Sequence, residues 1–440
     1  MFRTVENDLI EWKDHPNRKP LLIRGARQVG KSFVVEKIGE AHFEKLVTIN
    51  FEFEPRFIDC FRTLDPAKII LALEAMLKQN ITPGSTLLFL DEIQECPNAI
   101  LSLRYFKEKM PKLHVIAAGS LLEFALNSQE FRKPVGRVQS LYMKPCSFKE
   151  FLIATGDHKL LEYLSSVTLS TGVEQPFHDI LLGKCREYFV LGGMPEVLNY
   201  YIDQKKYLGC EVIQGTILEY YEKDFPKYEK RINIRMLQKI YTKVPALVGK
   251  RLKFSEIDPD IQARDQKPCL AALSNADLIY PVYHTSASGL PLNATLNEKK
   301  FKILFLDIGL LEHATRINIH TLLTEDLMLM SQGALAEQFV GQELIAYSEN
   351  YEKPELYYWE REKMGAQAEV DYVMHLRGQI FPVEVKSGTT GRLRSLRVLM
   401  EEKQLKIGIR FSPQNLSFHE GILSVPFYMI YEFPRILASL

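Results

Sequence analysis

Leu21-Leu-Ile-Arg-Gly25-Ala-Arg-Gln-Val-Gly30-Lys31-Ser32 is an apolar run that breaks at glycine and restarts with helical spacing at Phe33–Ile38. Gly25 stands five residues before Gly30-Lys31-Ser32, a spacing that lets backbone N–H groups curl around a phosphate chain while the next helix turns its positive end towards it. The loop residues Gly25, Ala26, Arg27, Gln28, Val29 and Gly30 would form the cradle. Lys31 would pair with the outer phosphates, and the Ser32 hydroxyl would help to hold Mg²⁺. Leu21–Ile23 reads as a buried strand, so the loop has the strand–loop–helix setting it needs.

A second stretch, Thr86-Leu-Leu-Phe-Leu90, is wholly apolar, as expected of a central parallel strand covered on both faces, and it ends in Asp91-Glu92. Two carboxylates at such a strand end need a cationic or catalytic partner. Asp91 is placed to support Mg²⁺ through water, and Glu92 to polarise the attacking water. A third strand, Leu113–Ala118, ends in Gly119-Ser120, where Ser120 either senses the terminal phosphate or simply makes a turn.

The order GARQVGKS, LLFLDEIQECP, VIAAGS, then Gly136-Arg137 before Val138–Pro145 and Ser147-Phe148-Lys-Glu-Phe151, resembles a family of prokaryotic AAA+ P-loop ATPases. Its members carry a C-terminal domain of unknown function. The resemblance implies ATP hydrolysis and makes Arg137 an arginine finger, serving a neighbouring subunit of a homo-oligomer or its own site. Ala118 departs from the family, which usually has Thr or Ser there.

The 440 residues leave room for several cores: 46% are hydrophobic and 25% charged. With 55 basic and 55 acidic residues there is no net field to draw in nucleic acid, so any such surface is local. Six scattered cysteines without a C-x-x-C pair favour reduced thiols in a cytosol. No apolar run approaches the ~20 residues that cross a bilayer, so no membrane partner is expected and the cytoplasm is the default location.

The strand and helix patterns predict an α/β chain in four parts: a parallel sheet with helices on both faces (1–155), a helical lid or linker (156–230), a winged-helix-like module (231–312) and a further α/β domain (313–440); by resemblance the first is the AAA+ ATPase domain and the last a nuclease-like domain of the restriction-endonuclease kind. In the helical part, Gly192-Gly193-Met-Pro195 reads as a turn. From Lys223 to Lys253 there are ten basic residues and two acidic ones, either a solvated face or the footprint of an anionic partner. Two short helices and a hairpin follow, with Arg264, Gln266 and Lys267 where a winged helix would contact DNA; such modules also serve as protein-packing units.

In the last part, Gln379–Gly388 reads as a strand whose alternation puts Glu384 and Lys386 on one face. Asp371 occupies the preceding strand, and Glu337 the otherwise apolar face of a helix upstream, with Glu343 as a second choice. This set resembles the PD-(D/E)xK nuclease superfamily. Asp371 and Glu384, with Glu337, would supply oxygen ligands for Mg²⁺, and Lys386 would orient water at a scissile phosphate. Arg392, Arg394 and Arg397 would add phosphate contacts. Two functions fit: ATP turnover coupled to binding or processing of double-stranded or branched DNA, with metal-dependent cleavage, or a nucleotide-controlled switch that only grips a protein or nucleic-acid partner.

Overall fold

The short apolar runs of the N-terminal part become strands β1 (Leu21–Arg24), β2 (Lys45–Asn50), β3 (Thr86–Asp91), β4 (His114–Ala118) and β5 (Gln139–Tyr142) in the computed structural model, which describes residues 1–126, 136–228, 232–316, 333–361, 368–388 and 393–440. All pair in parallel, in the order β2-β3-β4-β1-β5. Every residue of β3 and β4 is buried. Alternation along these strands shares their side chains between two cores. Leu87, Phe89 and Ile116 join Val34 and Ile38 on one face, while Leu88, Leu90 and Val115 join Ile69, Leu73 and Leu103 on the other.

The first of those cores does not stop at the sheet. It continues through the helices Gln175–Leu191 and Tyr207–Asp224 to Phe433 and Leu437 near the C-terminus. The pivot is Gly192-Gly193, where three parts of the chain meet. The Gly193 N–H donates to Asp307 Oδ2 at 2.6 Å, and its carbonyl accepts the Cys146 N–H at 2.7 Å. A Cβ at Gly193 would lie 2.1 Å from the Cys146 carbonyl oxygen, so only glycine permits this approach. Gln342 adds a bond to Asp307 at 3.2 Å, and the Tyr188 hydroxyl donates to Cys146 O at 2.5 Å. The turn expected there is thus a junction.

The C-terminal half is built on one eight-stranded mixed sheet, ordered β12-β13-β11-β10-β9-β8-β6-β7. Its strands are β6 (Ile279–Thr285), β7 (Leu296–Phe305), β8 (Leu356–Glu360), β9 (Glu369–Leu376), β10 (Gln379–Val385), β11 (Gly408–Ser412), β12 (Ser417–His419) and β13 (Ile422–Pro426). The helices Phe254–Ile257 and Ala263–Asn275 precede the β6–β7 hairpin, in the order read from the sequence. The hairpin, however, is not the wing of a separate module: β6 pairs in parallel with β8, so the sheet crosses the boundary expected at 312–313. A two-stranded hairpin is marginal in water, and the further strands supply its buried face. Gln266 is fully buried, donating to Asp258 O and Ile261 O, and cannot reach DNA; Arg264 and Lys267 are exposed. No helix among the described residues is long and apolar enough to cross a membrane.

Candidate active sites

The phosphate loop leaves β1 at Gly25, whose φ of 133° and close approach to the Met143 carbonyl require glycine. Gly30, at φ 90°, precedes the helix Lys31–His42. Lys31 is 8% exposed and folds back on its own loop, its Nζ donating to Gly25 O at 2.9 Å and Ala26 O at 2.7 Å. Burial pushes its ammonium down to about 8, opposed by nearby Glu92. Ser32 Oγ donates to Asp91 Oδ2 at 2.9 Å, so the two residues read as magnesium ligands touch. Asn50 Nδ2 reaches the same oxygen at 3.2 Å, and the Glu92 N–H donates to Asp91 Oδ1 at 3.1 Å. A hydroxyl beside a carboxylate fits Mg²⁺, which commonly takes one or two protein oxygens, substrate phosphates and water.

Glu92 has a left-handed backbone, φ 48°, just past the strand end. Its Oε2 accepts from Gln94 Nε2 at 2.7 Å, and burial raises its carboxyl above the usual range, although Gln94 and Lys31 oppose the shift. A carboxylate held by a neutral amide and biased towards taking a proton is suited to polarising water.

In the C-terminal sheet, Asp371 on β9 and Glu384 on β10 lie on neighbouring antiparallel strands. Asp371 Oδ2 accepts the Val385 N–H at 2.8 Å, and Glu384 Oε1 meets Lys386 Nζ at 2.5 Å. Burial, then the Asp371 charge, raises the Glu384 carboxyl to about 7 against the pull of Lys386. Glu337, on the helix Gly333–Ala346, faces Lys302 of β7 at 3.2 Å. Glu343 is not part of this group. It accepts the Phe148 N–H at 3.0 Å and the Tyr347 hydroxyl at 2.7 Å, tying its helix to the N-terminal part. Among the described residues no three carboxylate, imidazole or thiol side chains are grouped to hold a metal ion. Asp371 and Glu384 offer two carboxylates, and Mg²⁺ is commonly bound through one or two together with water.

Residues 17–152 match the family model of an AAA domain. This part of the chain is similar to AAA domains. Downstream of it, residues 182–321 and 332–430 match two families described as domains of unknown function, DUF8612 and DUF4143. No curated protein matches the sequence. Similar solved structures include a Walker-type ATPase of Pyrococcus abyssi, 14% identical with a TM-score of 0.45, covering 72% of this chain and 96% of that one. The ORC2 protein of Aeropyrum pernix is 12% identical with a TM-score of 0.30, covering 73% and 95%. Domain III of the Thermotoga maritima replication initiation protein DnaA is 14% identical with a TM-score of 0.26, covering 52% and 87%.

Within the AAA domain, Ser120 is buried just past β4. Arg137 precedes β5, whose first residue Gln139 pairs with Leu21 at the start of β1, and its Nε bonds Glu108 at 3.2 Å. It therefore stands at the end of the strands opposite its own phosphate loop, away from that site. Arg27 is held by Asp224 through two bonds, 2.7 and 2.6 Å, from the end of the helix Tyr207–Asp224, while Tyr221 donates to Arg27 O at 2.8 Å. Sequence reading missed Asn50, Gln94, Asp224 and Lys302. Asn50 had a signal, since it ends the strand that pairs with β3 at Asp91; the others had none. In the basic stretch, Lys239 pairs with Asp258 and Arg251 with Glu360, so part of that charge is met internally. Arg397 pairs with Glu420, and Arg392 lies outside the described residues.

Proposed function

We propose that the AAA domain binds and hydrolyses Mg-ATP and that turnover drives binding or processing of DNA by the C-terminal half. The observation that carries the first part is the Ser32–Asp91 hydrogen bond beside a lysine folded into its own loop. On ATP binding, Lys31 exchanges two loop carbonyls for the outer phosphates, and the backbone N–H groups from Gly25 to Lys31 take the phosphate oxygens. Ser32 and Asp91 hold Mg²⁺, which neutralises charge on the phosphates. Glu92, steadied by Gln94, accepts the proton of the attacking water; Ser120 faces the terminal phosphate. Arg137 reaches the site of a neighbouring copy, a role supported by its place at the end of the strands away from its own phosphate loop.

In the C-terminal half, Asp371 and Glu384 hold a divalent ion, Lys386 orients water beside a DNA phosphate, and Glu337 belongs to the same cluster. Six buried thiols, none in a disulfide, support work in the cytosol. A second reading has its own support. Lys302 already neutralises Glu337 and Asp371, which suits a switch that grips its partner without cutting it.

The test is ATP turnover and cleavage of plasmid and branched DNA, with Mg²⁺ or Mn²⁺, in the wild type, Lys31→Ala and Glu384→Ala. Cleavage lost in Glu384→Ala while ATP turnover persists supports the coupled enzyme. ATP turnover without cleavage under any condition leaves the switch, and turnover that survives Lys31→Ala overturns both.

A further inference from the structure

Lys302 lies on β7, within the segment that matches one family model, yet its ammonium sits among carboxylates from the segment that matches the next. Its side chain is 4% exposed. The Nζ is 3.2 Å from Glu337 Oε2, 2.5 Å from Glu369 Oε1 and 3.7 Å from Asp371 Oδ1, and lies 5.5 Å over the Tyr358 ring. A lysine so deeply buried stays charged only where carboxylates surround it, and removing either partner leaves an uncompensated charge. β7 holds it in place, because the strand is hydrogen-bonded along β6.

The other half of the cluster is less complete. Glu384 is 6% exposed; Lys386 meets one of its oxygens, while Oε2 is buried and finds no hydrogen-bond partner among the described residues. A buried carboxylate oxygen left unmet is costly unless a ligand completes it. Asp371 stands between the halves, with Oδ1 towards Lys302 and Oδ2 on the Val385 N–H.

We propose that Lys302 is a built-in cation filling the Glu337–Glu369 half of this cluster, so that the site takes one divalent ion, at Asp371 and Glu384. Glu337 then positions the lysine and is not a metal ligand. The ammonium already pairs with Glu337, Glu369 and Asp371, the carboxylates a second ion would need, and like-charge repulsion keeps that ion out. The inference rests on the metal-binding reading of the C-terminal half and assigns Lys302 as a positioning residue contributed by the preceding segment.

The experiment is a manganese titration of the nucleotide-free full-length chain, followed by the EPR signal of free Mn²⁺. The wild type is expected to bind one ion, and Glu384→Gln to lose at least about tenfold in affinity. Glu337→Gln should lose clearly less affinity than Glu384→Gln, and Lys302→Met, checked for folding by its circular dichroism melt, should take up a second ion. Should Lys302→Met not fold, Glu337→Gln against Glu384→Gln decides. Glu337→Gln weakening manganese as much as Glu384→Gln, or a folded Lys302→Met with unchanged stoichiometry, would overturn the proposal. Manganese bound by Lys302→Met but not by the wild type would end the metal-dependent nuclease reading and keep the lysine as resident cation; none bound by either would overturn both.

Discussion

Lys31 and Lys302 are both buried beside acidic strand ends, yet they carry opposite signatures. Lys31 bonds neutral carbonyls, and burial lowers its ammonium to about 8. At Lys302 burial also opposes the charge, but Glu337, Asp371 and Glu369 override it and hold the ammonium above its ordinary value. The acids differ in the same way. Ser32, Asn50 and a backbone N–H meet Asp91 without neutralising it, whereas Lys302 and Lys386 already pair with Glu337 and Glu384. At the first site Lys31, Asp91 and Glu92 have no ion-pair partner among the described residues and are ready for an anion with its metal. The second has spent most of its charge internally, leaving one buried oxygen.

If the two sites are chemically separate, exchanging one acid in each should give unequal results in one assay. Glu92→Gln is expected to lower ATP turnover by about 10²–10⁴-fold, the usual loss for a general base, while nucleotide affinity persists. Glu384→Gln should change ATP turnover by less than about twofold, since distant independent sites act additively. Steady-state phosphate release with parallel nucleotide binding checks both. A comparable collapse in Glu384→Gln would show that the sites operate as one. Next in size is Gly193→Ala at the junction between them. The added methyl would collide with backbone, which has little room to give, and about 2–3 kcal/mol of stability should be lost in urea melts. An unchanged midpoint would mean that the junction adjusts freely and does not tie the halves together.

How much of this was legible follows from where the information sits in the chain. The phosphate loop was readable because its strand, glycines, lysine and serine are consecutive, and strand β3 because an all-apolar run ending in two acids has few other uses. Asp371 and Glu384 were readable from alternation within two adjacent strands. Lys302 was not, because it reaches Glu337 across 35 positions and a strand order that skips from β8 back to β6. The same pairing explains why the β6–β7 hairpin reads in the sequence as a separate module: its local pattern is that of a wing, and only β8 shows to which sheet it belongs. Gly192-Gly193 read as a turn for a related reason, since Asp307 and Cys146, which require the glycines, are far away in sequence.

The difference between the sites also predicts different responses to pH. Glu384, raised to about 7, keeps its proton below that value, and a metal must displace the proton to bind. Manganese affinity at the C-terminal site should therefore rise roughly tenfold from pH 6 to pH 8 and level off above. Glu384→Gln should remove this slope. A flat profile in the wild type would mean that the carboxylate is already ionised at pH 6 and that its surroundings are wetter than the burial suggests.

The smallest effect probes how far the phosphate loop itself is free of internal pairing. Among the described residues, Arg27 is the loop side chain that is ion-paired, to Asp224 at 2.6 Å and more loosely to Glu52 at 3.7 Å. Asp224 is nearly buried, but Arg27 is 34% exposed, so solvent screens the pair and limits its worth to about 1 kcal/mol. ATP brings negative charge to the same loop and competes with Asp224 for the guanidinium. Asp224→Asn should then tighten ATP by a factor of about three to five, with the gain absent in an Arg27→Ala background. The opposite result, weaker ATP binding in Asp224→Asn, would mean that the pair shapes the loop rather than competing with the nucleotide. The N-terminal site would then share the internal neutralisation that distinguishes Lys302, and the contrast between the two lysines would narrow to Lys31 alone.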